Sequence, residues 1–320
     1  MLSLKTDMKN TPKTIMKVIV ALIITAAVYS LLPVIGLYLK KDAPAISNAS
    51  AIGKLAEKEG NHFAFIFFGD SHSGLIFNDS ATLKLVSRMG REDRFKKIQV
   101  DFVLSSGDIT FRGSAWQYRI FNRIRSLIKW PVICAMGNHD DDKGGEQCFK
   151  KYAGASEFAF SDRNSYFIAV DDSGGDISED GFSRLEAELK KSSACAHRFV
   201  ILHKSPVSLY HQSWYRPELS MWSYRFMKLC EKYKVDMVLS GHEHIAAARE
   251  FGGVKYITSG GGGILTTVPS GDNGVLHYVL VRVYGDYVDY EVRKVAPPFW
   301  EFLVYYMWKD AFYLVKDAVF

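Results

Sequence analysis

Aspartate, histidine and asparagine recur in this chain in short packages: Asp70-Ser71-His72, Gly107-Asp108, Gly137-Asn138-His139-Asp140, His203 and Gly241-His242-Glu243-His244. Five of the nine histidines fall inside them. Carboxylate and amide oxygens are hard donors and imidazole nitrogens borderline ones. Gathered in one place, they are what a site for two divalent cations requires. Manganese, iron, zinc and nickel suit this donor set comparably, so the residue types point to metal-assisted chemistry without naming the metal.

Such side chains are far apart in sequence and need strand ends to bring them together. Each package directly follows an apolar run that reads as a buried strand, at residues 63–68, 102–104, 132–135, 199–202 and 235–239. Amphipathic stretches at 81–95, 116–128, 179–192 and 223–233 read as helices between those strands, and the alternation argues for a layered α/β domain. Residues 254–258, 275–283 and 287–293 are rich in valine and tyrosine and lack intervening helices, so they read as antiparallel strands with a hairpin turn at Gly285-Asp286. The run Gly260-Gly261-Gly262-Gly263 lacks the spacing of a phosphate-binding fingerprint and reads as a tight loop that lets the backbone approach the site.

In this order, the five packages resemble those of the calcineurin-like metallophosphoesterases over residues 62–265. The resemblance implies a two-sheet α/β sandwich flanked by helices. It also implies roles: Asp70, His72 and His244 on one metal, Asn138, His203 and His242 on the second, and Asp108 bridging both. A carboxylate spans two cations and offsets their charge, while the neutral Asn138 amide adds a ligand without quenching Lewis acidity. Two ions ~3.5–4 Å apart would hold a shared water and bring its pKa toward neutrality, so that hydroxide attacks phosphorus in line. His139 is then the expected general acid or transition-state stabiliser. The phosphoprotein phosphatase branch carries an aspartate that supports this histidine, where the present chain has Phe111 in Gly107-Asp108-Ile109-Thr110-Phe111-Arg112-Gly113. That departure counts against a protein phosphatase. Arg112, Lys204 and Ser205 are further candidates for substrate contact, and residues 210–222, with Tyr210, Trp214, Tyr215 and Trp222, read either as a substrate-facing lid or as a packed loop.

The 320-residue sequence as a whole bounds the function class. Its hydrophobic content of 48% and charged content of 23% allow a substantial core, and a formal net charge of +5 without a basic block in the middle of the chain gives no sign of a nucleic-acid partner. Cys134, Cys148, Cys195 and Cys230 form no C-x-x-C pair and read as small buried hydrophobes, with a Cys148–Cys195 disulfide the weaker option. Residues 18–39 are 22 positions without a charge, enough for a helix to cross a bilayer that needs ~20. Lys5, Lys9, Lys13 and Lys17 precede them, which places the N-terminus in the cytoplasm and the catalytic domain outside, in the periplasm if the host is bacterial. A cleavable signal peptide ending near Ala43-Pro44-Ala45 is the rival reading. The expected organisation is an anchor over 1–41, a tether over 42–61, the metallophosphoesterase domain over 62–296 and an aromatic helix over 297–320. That last helix lies either on the bilayer or on the domain's own surface.

The expected function is therefore hydrolysis of a phosphomonoester, phosphodiester or pyrophosphate bond, with a lipid-linked substrate at a membrane as the leading reading. A cyclic-nucleotide or nucleotide phosphodiesterase is the alternative, and a non-catalytic, metal-stabilised membrane scaffold is a further one.

Overall fold

The computed structural model describes residues 11–55, 60–92, 99–209, 221–264 and 274–296, without the side chains of residues 11–14, 26–27 and 30. Two sheets face each other. The first has the order β11-β10-β1-β2-β3, and the second β4-β5-β6-β7-β9-β8. Their strands are β1 (His62–Phe68), β2 (Val100–Ser105), β3 (Val132–Cys134), β4 (Phe158–Asp162), β5 (Ser165–Ala169), β6 (His197–Ile201), β7 (Met237–Ser240), β8 (Ala246–Phe251), β9 (Val254–Ser259), β10 (His277–Tyr284) and β11 (Tyr287–Lys294). Strands β1, β2 and β3 run parallel, as do β5, β6, β7 and β9. Parallel pairing explains why the packages all follow strands: it brings the C-terminal ends of the strands within each sheet to one edge.

Burial on both faces makes the central strands read as unbroken apolar runs. In β1, Phe63, Phe65 and Phe67 point between the sheets, where Phe65 stacks on Phe102 at 5.2 Å and meets Phe167 and Phe199 edge-on at 5.4 and 5.3 Å. The alternate residues Ala64, Ile66 and Phe68 point outward, onto α3 (Ile76–Met89) and α4 (Ala115–Arg125), through Leu85, Tyr118 and Phe121. On the opposite outer face, α6 (Glu179–Lys191) and α7 (Met221–Lys232) cover β5, β6 and β7 through Phe182, Leu185, Leu189 and Phe226. The hairpin turn falls at Gly285-Asp286, between Tyr284 and its partner Tyr287.

Three elements escape a reading by periodicity. The β4–β5 hairpin turns at Arg163-Asn164, with Arg163 at φ 51° in place of the usual glycine. Strand β8 begins Ala246-Ala247-Ala248, a helix-favouring composition held extended by antiparallel pairing to β9. The short α5 (Gly145–Tyr152) follows directly on the Asn138-His139-Asp140 package.

Residues 18–39 are helical, within α1 (Thr11–Leu39), but the transmembrane expectation is corrected in one respect. Among the described residues no helix is long and apolar enough to cross a membrane, and the last turn of α1 is committed to the domain. Val34 and Leu37 are buried, and Leu37 packs with Val86 of α3 and Ile120 and Ile124 of α4. The segment that follows is also packed on the domain. Arg123 donates to the carbonyls of Leu37 and Tyr38 and pairs with Asp42. Asn48, at the start of α2 (Asn48–Ile52), completes the open edge of β3 by exchanging hydrogen bonds with the Cys134 amide at 2.9 Å and carbonyl at 2.8 Å. All four cysteines are free. The expected aromatic helix at 297–320 and the bulk of the 210–222 segment lie outside the described residues.

Replacing Asn48 by alanine strands both main-chain groups of Cys134 in a buried site. The expected loss is about 2–3 kcal/mol of unfolding free energy; equilibrium denaturation of Asn48→Ala against the parent chain measures it.

Candidate metal centre

The loops leaving β1, β2, β3, β6 and β7 deliver the packages to one point. Five of the eight described non-glycine residues in the left-handed backbone region are Asp70 (φ 63°), His72 (φ 45°), Asp108 (φ 48°), His242 (φ 67°) and His244 (φ 51°). Each such conformation costs on the order of 1–3 kcal/mol, and strain of this kind persists only where the surroundings over-determine it. Here they do. The loops after β1 and β2 are laced together by Asp70 N to Gly107 O, His72 N to Asp108 O, Ser73 N to Ile109 O and Phe111 N to Ser73 O, at 2.9–3.1 Å. The crowding excludes side chains at two glycines: a Cβ on Gly137 would lie 2.2 Å from Asp108 Oδ1, and one on Gly260 would lie 2.6 Å from the His244 amide. The glycine run thus lets the backbone pass close against the site.

Three overlapping groups of donor atoms result: Asp70, His72 and His244; Asp108, His203 and His242; and His72, Asp108 and His139. Asp108 Oδ2 lies at their junction, 3.3 Å from His72 Nε2 and 3.2 Å from His203 Nε2. His244 Nε2 is 3.3 Å from Asp70 Oδ1. Asn138 Oδ1 and His242 Nδ1 stand 3.1 and 3.2 Å from His203 Nε2. All seven side chains anticipated as ligands therefore meet in one buried cluster, with His139 at its rim. Asp70, His72 and His203 are fully enclosed, and Asp108 is 1% exposed. Both ring nitrogens of His72 and Asp108 Oδ2 are buried without a hydrogen-bond partner. Orphaned donors of these types, converging on one another, fit divalent cations.

The electrostatics agree. Burial alone pushes the Asp70 and Asp108 carboxyls up, but the close imidazoles of His244, His203 and His72 outweigh it and hold both well below the usual carboxylate range. Burial pushes the two imidazoles down, yet the carboxylates raise His72 to about 9 and His203 to about 10. The carboxylates thus demand positive charge inside a sealed pocket.

Residues outside the ligand set fix the loops. Asp140 does not pair with its neighbour His139. It turns inward, accepting from the amides of Ile109, Thr110 and Gly137 and from the Thr110 hydroxyl at 2.8–3.1 Å, and so ties the β2 loop to the β3 loop. His139 is held instead by the Phe111 carbonyl, 2.9 Å from Nδ1, with the Phe111 ring stacked beside it at 5.8 Å. A carbonyl only accepts, so Nδ1 carries the hydrogen and Nε2 is the other face of the ring. Likewise His203 Nδ1 donates to the Ser106 carbonyl, turning Nε2 inward. Asp172, buried at the end of β5, accepts from the amides of His203 and Lys204 at 2.8 and 2.7 Å. It follows a strand that the sequence pattern does not reveal, and no motif marks it.

The other candidates lie apart from the cluster. Arg112 is exposed with its guanidinium over the Phe111 ring at 5.3 Å, Lys204 Nζ faces the Ser173 carbonyl at 3.4 Å, and Ser205 Oγ donates to the Val207 carbonyl. Of the solitary histidines, His197 and His277 are core residues and His62 rests against Tyr284, while His211 lies outside the described residues.

Comparison with known proteins places this geometry in context. The family model for calcineurin-like phosphoesterases matches residues 63–246. A protein of Vesicomyosocius okutanii named "Probable cyclic nucleotide phosphodiesterase" is 28% identical over 52% of this chain and 71% of its own length. A protein of Xenorhabdus bovienii with the same name is 30% identical over 46% of this chain and 62% of its own. Among solved structures, a Plasmodium protein described as the anchor in the inner membrane complex superposes with a TM-score of 0.55 at 13% identity, covering 74% of this chain and 90% of that one, a likeness of fold.

Behind the site, His277 is wholly buried, its Nδ1 donating to the Val275 carbonyl at 2.7 Å, and burial pushes its pKa down to about 4. The unfolded imidazole, near ~6.5, binds a proton that the folded one refuses, so this contribution to stability is complete above ~6.5 and is lost as pH falls toward the folded value. Thermal midpoints measured from pH 7.5 to 4.5 should fall with pH, and less steeply in His277→Gln.

Proposed function

The chain belongs to the calcineurin-like phosphoesterase family and is a metal-dependent phosphoester hydrolase, and from that premise we propose that its substrate is a phosphodiester of the cyclic-nucleotide class. The observation that carries the reading of the site is Asp108 Oδ2, buried without a hydrogen-bond partner between His72 Nε2 and His203 Nε2. We assign Asp70, His72 and His244 to one cation, Asn138, His203 and His242 to the other, and Asp108 to both. When bound, the cations supply Lewis acidity and a water acid enough to deprotonate near neutral pH. The protein's own residues do the rest. Asp70 and Asp108 carry the negative charge that retains the ions, and the Asn138 amide adds a donor without adding charge. His139, its Nδ1 fixed by the Phe111 carbonyl, offers Nε2 to hold a phosphoryl oxygen or to protonate the leaving oxygen.

The cyclic-nucleotide class rests on the names of the relatives. A lipid-linked substrate, the leading expectation from sequence, finds no support in the fold or in the relatives. Membrane attachment is a separate proposal. Its support is the 22-residue uncharged run, the preceding lysines and the exposed apolar side chains of α1, among them Ile15, Val18, Leu22 and Val28. On that reading α1 holds the catalytic domain at a membrane surface.

Full-length protein in detergent, supplied with Mn²⁺ or with chelator and offered 2′,3′- and 3′,5′-cyclic nucleotides and bis-p-nitrophenyl phosphate, tests the substrate. Metal-dependent opening of a cyclic phosphodiester is the expected result. Turnover of monoesters alone refutes the diester assignment, and bound metal with no turnover on any phosphoester favours the scaffold. Asp108→Ala should abolish turnover and lower metal content. His139→Ala should slow turnover by about 10²–10⁴-fold while elemental analysis still finds both ions.

A further inference from the structure

The last turn of α1 is joined to the loop bearing Asp70 and His72 by a continuous run of hydrogen bonds. Tyr38 Oη donates to Asp79 Oδ2 at 2.7 Å. Asp79 lies in the first turn of α3, wholly buried, and both of its oxygens are 3.2 Å from the Gly74 amide. Beside it, Asn78 Nδ2 donates to the His72 carbonyl at 3.3 Å. One turn on, the Thr82 hydroxyl reaches the Gly262 carbonyl at 3.1 Å, on the loop whose Gly262 amide bonds to Gly69. The first two turns of α3 therefore grip the metal-binding loop from behind.

Packing at position 38 does not require a phenol. Leu37 packs with Val86, Ile120 and Ile124, and the Tyr38 ring, which phenylalanine keeps, packs against the same cluster; Arg123 holds the Leu37 and Tyr38 carbonyls at 3.1 and 2.9 Å whatever the side chain is. The hydroxyl adds one interaction, with a carboxylate that burial already penalises and pushes up to about 6. Without that donor, Asp79 would keep fewer partners in a sealed site and a weaker hold on Gly74.

We propose that Tyr38 is a positioning residue: by donating to Asp79 it holds the first turn of α3, and through it residues 70–74, in the arrangement that presents Asp70 and His72 to the first cation. Seating of the N-terminal helix on the domain thereby sets the affinity of that one site. This rests on the two-cation reading of the cluster, and it concerns only the site formed by Asp70, His72 and His244.

The test is Mn²⁺ binding to the full chain in detergent, measured calorimetrically without substrate, alongside thermal midpoints. Wild type should bind two ions, and Tyr38→Phe should raise the dissociation constant of one of them about three- to tenfold, the worth of one ordinary hydrogen bond, and leave the other unchanged. Asp79→Leu, which has no acceptor, should weaken the same ion, and Tyr38→Phe added to it should cause no further loss. Should Asp79→Leu fail to fold, Tyr38→Phe alone decides. Unchanged Mn²⁺ affinity in Tyr38→Phe, with a lowered midpoint, makes the hydroxyl a structural brace and overturns the proposal. So does additivity of the two substitutions. A wild-type chain that binds no Mn²⁺ at all overturns the two-cation reading itself, and this inference with it.

Discussion

Two carboxylates, Asp70 and Asp108, are sealed at the junction of the two sheets, at 0% and 1% exposure. Everything around them answers that placement. An isolated ionised carboxylate cannot be taken out of water without compensation, so both must be met by positive charge at close range. The imidazoles of His72, His203 and His244 stand 3.2–3.3 Å away, and the carboxylates raise the pKa of His72 and His203 above the ordinary range of histidine. Protons and divalent cations compete for the same atoms. A donor set arranged in this way is better described as a demand for charge than as a stabilising network, because a buried ion pair contributes little to stability of itself.

Holding that arrangement requires a backbone most residues resist. Five residues of the cluster in left-handed conformations represent several kcal/mol of local strain. The opposing contributions lie just behind them: the aromatic layer around Phe65, the main-chain lacing between the β1 and β2 loops, and the carboxylates of Asp140 and Asp172, each of which gathers amides from its loops. Asp140 shows why adjacency in a motif says little about contact. Its side chain points into the fold, while that of His139 points into the site, the two diverging within a turn that the Asp140 amide closes on the Gly137 carbonyl.

This division explains what could be read from the chain. The ligand packages and the strands before them were legible because parallel, doubly buried strands such as β1 leave continuous apolar runs, and because donor residues at their ends have few other reasons to cluster. The supports were not legible. Phe111 contributes a carbonyl, a group every residue has, so nothing in its side chain announces that it fixes His139. Asp172 follows β5, a strand hidden by a hairpin that turns on Arg163-Asn164. The start of α3 was read too late, at 81 in place of Ile76, since Asn78, Asp79 and Ser80 break the apolar periodicity. They are polar and yet buried because they face the loop that carries Asp70 and His72, and amphipathic patterning has no means of marking a polar face turned inward.

The N-terminal segment was read as an anchor and a tether, and its described part behaves as a brace. A free tether would leave β3 an open edge and the Cys134 amide and carbonyl unpaired; Asn48 meets both. It would also leave α1 able to swing, whereas Leu37, Arg123 and Asp42 fix its last turn against α3 and α4. α1 exposes apolar side chains as far as Ile35 and Leu39, while Val34 and Leu37 on its other side are buried. The same last turn carries Tyr38, whose hydroxyl reaches Asp79. The Tyr38–Asp79 and Asp79–Gly74 hydrogen bonds thus tie the end of α1, through the first turn of α3, to the loop that carries Asp70 and His72.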